Sequence, residues 1–441
     1  MNRKQSRHDK VASVFRPGRV VAAGSLILAS FAAAGIASGS SVDTGTAALT
    51  IGVFNPFSGA DAGFGALMIA GCLPAAAAIE AAGGILKHKT LNCKISDSRG
   101  DPADAVPAAS QLVATTSNLV GIVGPSSDEA SATVPIFNRS KMPMFGDTGQ
   151  ATFDKSSYRY FYRITPPDDA TGYAMAVYAK DKGYKRAVTV FGSDISSQGT
   201  LPTVTAGFKH LGGKIALSET LPLDQSSYRS EVEAVVAAKP DVIFTEADPQ
   251  TSATFFAELQ QLYHLVPIIG TDATQPQWLK AVSGAIGAKN LKKYYVGAQP
   301  YSPTTGPAQV AWIAALKLVQ TKVPQPAKQW TYNSYAQSAW DSVNLMALAM
   351  QAAKSTTPSV YTRFIVKVAN GSPGAVLVYS FAQGKKELLA GKSIEYVGAT
   401  GAIHLDRYNN SPGLFEMASP NGNATTTVAI LTAAQVNTAK G

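Results

Sequence analysis

Two adjacent serines, Ser126 and Ser127, stand where hydroxyl groups can bind an anion. They follow an apolar run at 119–124 that is typical of a buried strand, and they precede a helix predicted to begin near Ser131. Hydroxyls and free backbone N–H groups at the start of a helix suit a negatively charged group such as a carboxylate. The alternative is that these residues only cap the helix. The residues alone leave both roles open.

Acidic residues follow two later runs of β-forming residues. Glu246 and Asp248 end one predicted strand, and Asp272 follows another. Ligands of open parallel sheets bind beyond the carboxyl ends of the strands, so these acids are candidates for ligand contact. Loop acids are more often solvated, and Asp272 is also placed to cap a helix predicted near Gln277. Both readings stay open.

No catalytic pattern is present in the chain. We find no Gly-x-Ser-x-Gly elbow, no phosphate loop and no dinucleotide fingerprint, and no two histidines stand at the spacing of metal ligands. The histidines are His8, His88, His210, His264 and His404. The sequence therefore predicts a protein that is not an enzyme and that has no cofactor and no metal. An exported enzyme with an unfamiliar site is the least favoured alternative.

The first 37 residues are typical of a secretory signal. Six bases and one acid lie in residues 1–19, and residues 20–37 are small and apolar. We expect cleavage before Ser38, and the alternative is an uncleaved membrane anchor. Cleavage leaves 32 bases and 28 acids, a net charge of +4 in place of +9. Since these bases are not clustered, nucleic acid is excluded as a partner.

The two cysteines, Cys72 and Cys93, lie in a predicted strand–helix–strand unit at 48–97. Cys72 is in the helix and Cys93 is in the second strand. The helix of such a unit packs on its sheet, so the two side chains can meet, and export favours their oxidation. We expect a disulfide; the alternative is a pair of buried thiols.

Strands and helices alternate along most of the chain, which predicts an α/β fold. About 400 mature residues are too many for one core, so two domains are expected. The chain changes domain at Pro166-Pro167 and again near 299–303. We predict two doubly wound parallel-sheet lobes joined by a three-strand hinge: an N-terminal lobe of 47–166 and 300–406, and a C-terminal lobe of 167–299 and 407–436.

Six stretches between about residues 48 and 435 resemble motifs of one protein family in their order and spacing. They are 51–59, 75–85, 97–102, 121–127, 339–343 and 398–406. Together they resemble the solute-binding proteins of branched-chain amino-acid ABC importers, the leucine/isoleucine/valine-binding type. That resemblance implies the type I periplasmic binding fold, with a ligand held between the lobes and no catalysis. It places Ser126 and Ser127 in the ligand loop and gives Asp272 the role of holding the ligand's ammonium group.

Two segments depart from the family's pattern. The loop at 146–152 stands where the family has a Ser-x-x-Ala-Thr-Asn segment, and we expect its Thr148, Gly149 and Gln150 to line the site. Ser196 stands where the family often has an aromatic Tyr-Gly pair, and we expect it to line the site as well. The loss of that wall predicts a ligand larger or more polar than leucine.

The resemblance also implies partners and a location. The partners are a small solute, an amino acid or similar, and the permease and ATPase subunits of an importer. The location is periplasmic or extracellular, with membrane anchoring if the signal is not cleaved. The alternative function is a ligand-sensing receptor, or a binder of other solutes such as aromatic acids, on the same fold.

Overall fold

A computed structural model of the chain describes residues 47–88, 90–411, 413–422 and 424–440. The predicted signal at 1–37 lies outside these residues. The first lobe begins with a five-stranded parallel sheet in the order β2-β1-β3-β4-β5. Its strands and first helices are β1 (Leu49–Asn55), α1 (Ala62–Ala81), β2 (Leu91–Asp97), α2 (Pro102–Thr115), β3 (Leu119–Ser126), α3 (Ser127–Arg139), β4 (Met144–Asp147) and β5 (Phe161–Tyr162).

The chain then crosses to the second lobe, which continues the alternation of strands and helices. Its core is five parallel strands. The inner strands are largely buried because helices cover both faces of the sheet, and the edge strand at 214–221 is partly exposed. The elements are α4 (Asp168–Asp181), β6 (Arg186–Gly192), α5 (Leu201–His210), β7 (Lys214–Leu221), α6 (Arg229–Ala238), β8 (Val242–Glu246), α7 (Pro249–Leu262), β9 (Ile268–Gly270), α8 (Pro276–Ile286), α9 (Ala288–Tyr294) and β10 (Tyr295–Pro300).

After β10 the chain returns to the first lobe, where three of the new helices pack on α1. The elements are α10 (Pro307–Leu318), α11 (Ser334–Ala353), α12 (Pro358–Asn370), β11 (Val376–Val378), α13 (Phe381–Leu389), β12 (Ile394–Gly398) and β13 (Gly401–Ala402). A last crossing leads to β14 (Phe415–Asn421), β15 (Ala424–Leu431) and α14 (Ala433–Asn437). The second sheet has the order β15-β14-β10-β9-β8-β6-β7.

The predicted fold of two α/β lobes with largely parallel sheets is confirmed. One difference is at the edge of the second sheet, where β14 and β15 form an antiparallel hairpin. Another feature is β5, which covers two residues of the alternating run at 158–164. The backbone of Arg163 pairs with Asn409 and Ser411 of the last crossing instead of continuing the sheet.

Helix α1 is the central helix of the first lobe. Among the described residues it is the one helix long and apolar enough to cross a membrane by length and composition, and two thirds of it is buried in the fold. A Cβ on Gly71 would lie 2.1 Å from the carbonyl oxygen of Ala336, so only glycine lets α11 approach this closely. The predicted disulfide is confirmed: Cys72 of α1 bonds to Cys93 of β2, with 6.1 Å between their Cα atoms.

Candidate functional site

The carboxyl ends of strands from both sheets meet across the cleft between the lobes. The backbone N–H of Ser196, after β6, donates to Asp128 Oδ1 in α3 at 2.9 Å. Asn333, at the start of α11, donates through Nδ2 to the carbonyl oxygen of Thr274 at 2.7 Å. Because each bond joins one lobe to the other, the structure describes the closed arrangement of the cleft.

The loop between β3 and α3 is organised by a buried carboxylate. Helix α3 begins at Ser127, one turn earlier than the expected start near Ser131. Both the N–H and the hydroxyl of Ser126 donate to the Glu129 carboxylate, at 3.0 and 2.9 Å. Ser98 adds a third donor at 3.0 Å. Burial raises the pKa of Glu129 to about 7. The hydroxyl of Ser126 is thus engaged inside the first lobe, in the capping role.

The other predicted residues of the first lobe lie together. Ser127 Oγ donates to Thr148 Oγ1 at 3.1 Å, and the N–H of Gln150 donates to the same oxygen at 3.2 Å. Gly149 packs against Asp168 at the start of α4, where a Cβ on the glycine would lie 1.7 Å from the Asp168 carboxylate. Ser127 and the loop after β4 therefore form one wall of the cleft, and their contact with a ligand stays a prediction.

Asp272 lies buried at the end of β9 in the second lobe. Its Oδ2 accepts from the N–H of Ala247 at 3.3 Å. It does not cap α8, whose N-cap is Gln275. Burial raises the pKa of Asp272 well above its usual range, and the charges of Asp194 and Asp248 add to the rise.

The two acids at the end of β8 differ in role. Glu246 Oε2 accepts from the hydroxyl of Thr200 at 3.0 Å, and its pKa is raised by burial and then by the charge of Asp272. Asp248 is the N-cap of α7: its Oδ1 accepts from the N–H groups of Gln250 and Thr251 at 2.9 and 3.0 Å. Its Oδ2 has no hydrogen-bond partner among the described residues.

Three acids absent from the predicted site form a cluster between the lobes. Carboxylate oxygens of Asp61, Asp128 and Asp194 all lie within 4.8 Å of one another. Asp61 and Asp128 belong to the first lobe and Asp194 to the second. At an effective dielectric constant of 20, two unit charges about 4 Å apart repel by roughly 4 kcal/mol. Burial, and then the charges of Asp128 and Asp194, raise the pKa of Asp61 well above its usual range. Burial and the charge of Asp194 raise the pKa of Asp128 to about 6.

A second group of acids lies near enough to the phenol of Tyr335, on α11, for their charges to act on it. Burial first, and then the charges of Asp147, Asp168, Glu246 and Asp272, raise the pKa of Tyr335 well above its usual range. Burial raises the pKa values of Asp147 and Asp168 to about 7. The carboxyl of Asp168 lies between Gly149 and Gly199. The position of Asp147 at the end of a buried strand is the sequence signal that could have identified this group of acids.

Known proteins share the sequence family and the fold. The model of a family described as periplasmic binding protein matches residues 48–365. The leucine-binding protein LivK from Thermotoga maritima has a TM-score of 0.70 at 18% identity, over 88% of this chain and 99% of the other. LivJ from Streptococcus pneumoniae, solved with isoleucine, has a TM-score of 0.70 at 18% identity, over 87% and 99%.

Two further proteins widen the range of ligands on this fold. A solute-binding protein from R. palustris, solved with 4-hydroxybenzoate, has a TM-score of 0.67 at 16% identity, over 88% of this chain and 97% of the other. A curated relative, glutamate receptor 2.2 from Arabidopsis thaliana, is 21% identical over 351 residues, 75% of this chain. The chain spans about a third of that receptor's length, 35%. At these identities the likeness extends to the fold.

Proposed function

Because this chain belongs to the periplasmic binding protein family, we propose that it is the solute-binding component of an ABC importer. It takes a small amino-acid-like solute into the cleft between its lobes and delivers it unchanged to a membrane permease with its ATPase subunits. The observation that carries this proposal is the meeting of strand ends from two lobes across one polar cleft, with the Ser196–Asp128 hydrogen bond closing it.

The walls of the cleft suit a solute held from both sides. On the first lobe, Ser127, Thr148, Gly149 and Gln150 present hydroxyl and backbone groups, with Ser126 supporting the loop behind them. On the second lobe the contacts are Asp272, Glu246, the free oxygen of Asp248, and Ser196.

Transport requires that closure depend on the solute. In the open form the solute docks on the Ser127 wall, and rotation of the second lobe then brings Asp272 and Ser196 across. A ligand shifts this equilibrium only by the difference between its affinities for the closed and open forms. Asp272 and the acids near it are unfavourable when buried without a partner, so a solute that compensates them stabilises the closed form.

The family implies an extracytoplasmic location, and its members and the similar structures are binding proteins. For this chain we propose export by the signal at 1–37, with no catalytic step on the bound solute. Support for a purely binding role comes from the cleft, where the polar groups described above serve to hold and cap rather than to activate a nucleophile.

The second candidate is a ligand-sensing receptor, or a binder of non-amino-acid solutes such as aromatic acids. A receptor among the curated relatives and a structural neighbour with 4-hydroxybenzoate favour it. The two functions differ in what recognises the closed form: a permease for import, a signalling protein for sensing. A permease gene beside this one favours import, and a kinase gene favours sensing.

A ligand panel tests the proposal. The purified protein is heated with each of the twenty amino acids, with arginine's decarboxylated form agmatine, and with 4-hydroxybenzoate, and the unfolding midpoint is measured. We expect at least one solute to raise the midpoint, because a ligand that binds only the folded protein stabilises it by mass action. Solute recovered chemically unchanged after incubation supports binding without catalysis. Turnover of the bound solute, or no shift with any solute, contradicts the proposal.

A further inference from the structure

Carboxyl groups line the cleft from both lobes. They form two groups, one at the Asp61 cluster and one around Tyr335, with a further acid at the N-terminus of α7. The first lobe contributes Asp61, Asp128 and Asp147, and the second lobe contributes Asp168, Asp194, Glu246, Asp248 and Asp272. These residues come from seven separate places in the sequence, and only the folded, closed chain brings them together.

No base among the described residues balances the charge of this cleft. The charges that act most strongly on Asp61, Glu246 and Asp272 all belong to other carboxyl groups. Arg163 acts on Asp168, but its guanidinium is committed elsewhere. It donates to Asn410 Oδ1, to the carbonyl oxygens of Thr148 and Gln150, and to Asp154. The cleft is therefore short of positive charge.

Several buried acceptors of the cleft have no donor among the described residues. They are Asp147 Oδ2, Asp194 Oδ2, Asp248 Oδ2 and Gln275 Oε1. Asp147, Asp248 and Gln275 are each more than nine-tenths buried. Gln275, from the second lobe, reaches to the start of α1, where a Cβ on Gly63 would lie 2.5 Å from its Oε1. Unpaired buried acceptors are unfavourable, so this set calls for a ligand rich in donors.

We propose that the solute of this cleft is a small organic cation with positively charged nitrogen groups at two positions, such as a basic amino acid or the amine derived from it. This inference rests on the function proposed above. One charged group lies at the Asp61, Asp128 and Asp194 cluster, and the other lies among the acids around Tyr335. A single metal ion compensates only the first group, so an extended cation fits the cleft better.

Charge also couples the cation to closure. Asp61 and Asp128 meet Asp194 only when the lobes close, since they belong to opposite lobes. Closing the empty cleft brings like charges together, and closing it on a cation converts that repulsion into attraction. A neutral zwitterion brings no net charge, and an aromatic acid adds a further negative charge to the cleft.

Isothermal titration of the purified protein at pH 8 tests the inference with three probes of similar shape. They are arginine, agmatine, which lacks the carboxylate, and citrulline, which replaces the guanidinium of arginine by a neutral urea. We expect arginine or agmatine to bind at least tenfold more tightly than citrulline. Citrulline binding as tightly as both cations overturns the inference and leaves the proposed function standing. Binding of Ca²⁺ without either organic cation also overturns it.

A charge-neutralising pair of variants separates ligand contact from structural support. Asp194→Asn keeps the Oδ1 that accepts from the N–H of Ser197 at 2.7 Å, and Glu246→Gln keeps an oxygen for the hydroxyl of Thr200. In each variant we expect the cation to bind at least tenfold more weakly. We also expect a higher unfolding midpoint of the ligand-free protein, because repulsion between the acids is relieved. Asp181→Asn, at the exposed far end of α4, should change neither quantity.

The affinity for the cation falls while the unfolding midpoint rises only if the acids face the ligand. If both variants lose stability and affinity together, the acids support the fold and the inference fails. If both variants bind the cation as tightly as the original protein, these carboxylates do not contact it and the inference also fails. If no probe in the panel binds, whether cationic, neutral or anionic, the proposed function is wrong as well as this inference.

Discussion

The backbone N–H of Ser196 donates to Asp128 Oδ1 at 2.9 Å, across the boundary between the lobes. Ser196 lies in the loop after β6, and Asp128 lies in the first turn of α3. The bond joins the two loops that flank the cleft. The bond therefore forms only when the loop of the second lobe lies against α3 of the first lobe.

Asp128→Ala should favour the open form. It leaves the partly buried N–H of Ser196 without its acceptor, which costs about 1 kcal/mol in the closed form. Asp128→Asn removes the same charge but keeps an oxygen for that N–H, so with the solute found in the panel bound it should close more fully than Asp128→Ala. Small-angle scattering checks this: the Ala variant should have the larger radius of gyration, and equal radii for the two variants would contradict the role of this bond.

Asp272→Ala should weaken binding of a solute that carries an ammonium group. The carboxylate is buried, and loss of one partner from a buried ion pair costs about 3–5 kcal/mol. Titration calorimetry with the solute found in the panel measures the loss. Asp181→Asn on the surface serves as the matched control. Unaltered affinity in Asp272→Ala would remove this residue from the site.

Loss of the Cys72–Cys93 disulfide should lower stability without changing ligand affinity. The bridge joins residues 21 apart, and closure of a loop of this size stabilises by about 3 kcal/mol in the chain-entropy model. The Cys72→Ser, Cys93→Ser double variant and the reduced original protein should unfold at the same urea concentration. A clear difference between these two samples would show that the serine substitutions act on packing instead.

The ligand-free protein should become less stable as the pH rises from about 5 to 7. Burial raises the pKa values of Asp147 and Asp168 to about 7, above those of an unfolded chain. The folded state then binds more protons in this range, so its stability is present at low pH and is lost as the pH rises, by about 2 kcal/mol per group. The groups acting on Asp147 are Glu129, Asp168 and Thr165.

Urea unfolding at pH 5, 6, 7 and 8 measures this dependence. Asp147→Asn keeps an acceptor for the hydroxyl of Thr165 and removes one titrating group, so its slope against pH should be shallower. A stability that rises with pH in the original protein over the same range would contradict the assignment.

The sequence by itself determined the α/β alternation, the two lobes and the disulfide. The quoted motifs also identified the chain as a periplasmic binding protein, and that family is confirmed. These features are readable because burial of a strand or helix face leaves a periodic pattern in the residues that form it. The structure adds what one of the motifs does: the Asp341 carboxylate accepts from Tyr396, Ala399 and Thr400, which joins α11 to the segment after β12.

The tertiary structure alone decided the chemistry of the cleft. Ser126 and Asp248 follow strands as expected, yet Ser126 is engaged by Glu129 and Asp248 caps α7. Asp61, Asp128 and Asp194 are unremarkable in the sequence because each is a single loop or helix-start acid. Their repulsion and burial arise when distant segments close on one another. Charge interactions depend on distance in space and on the exclusion of water, and the local periodicity of the sequence indicates neither of these.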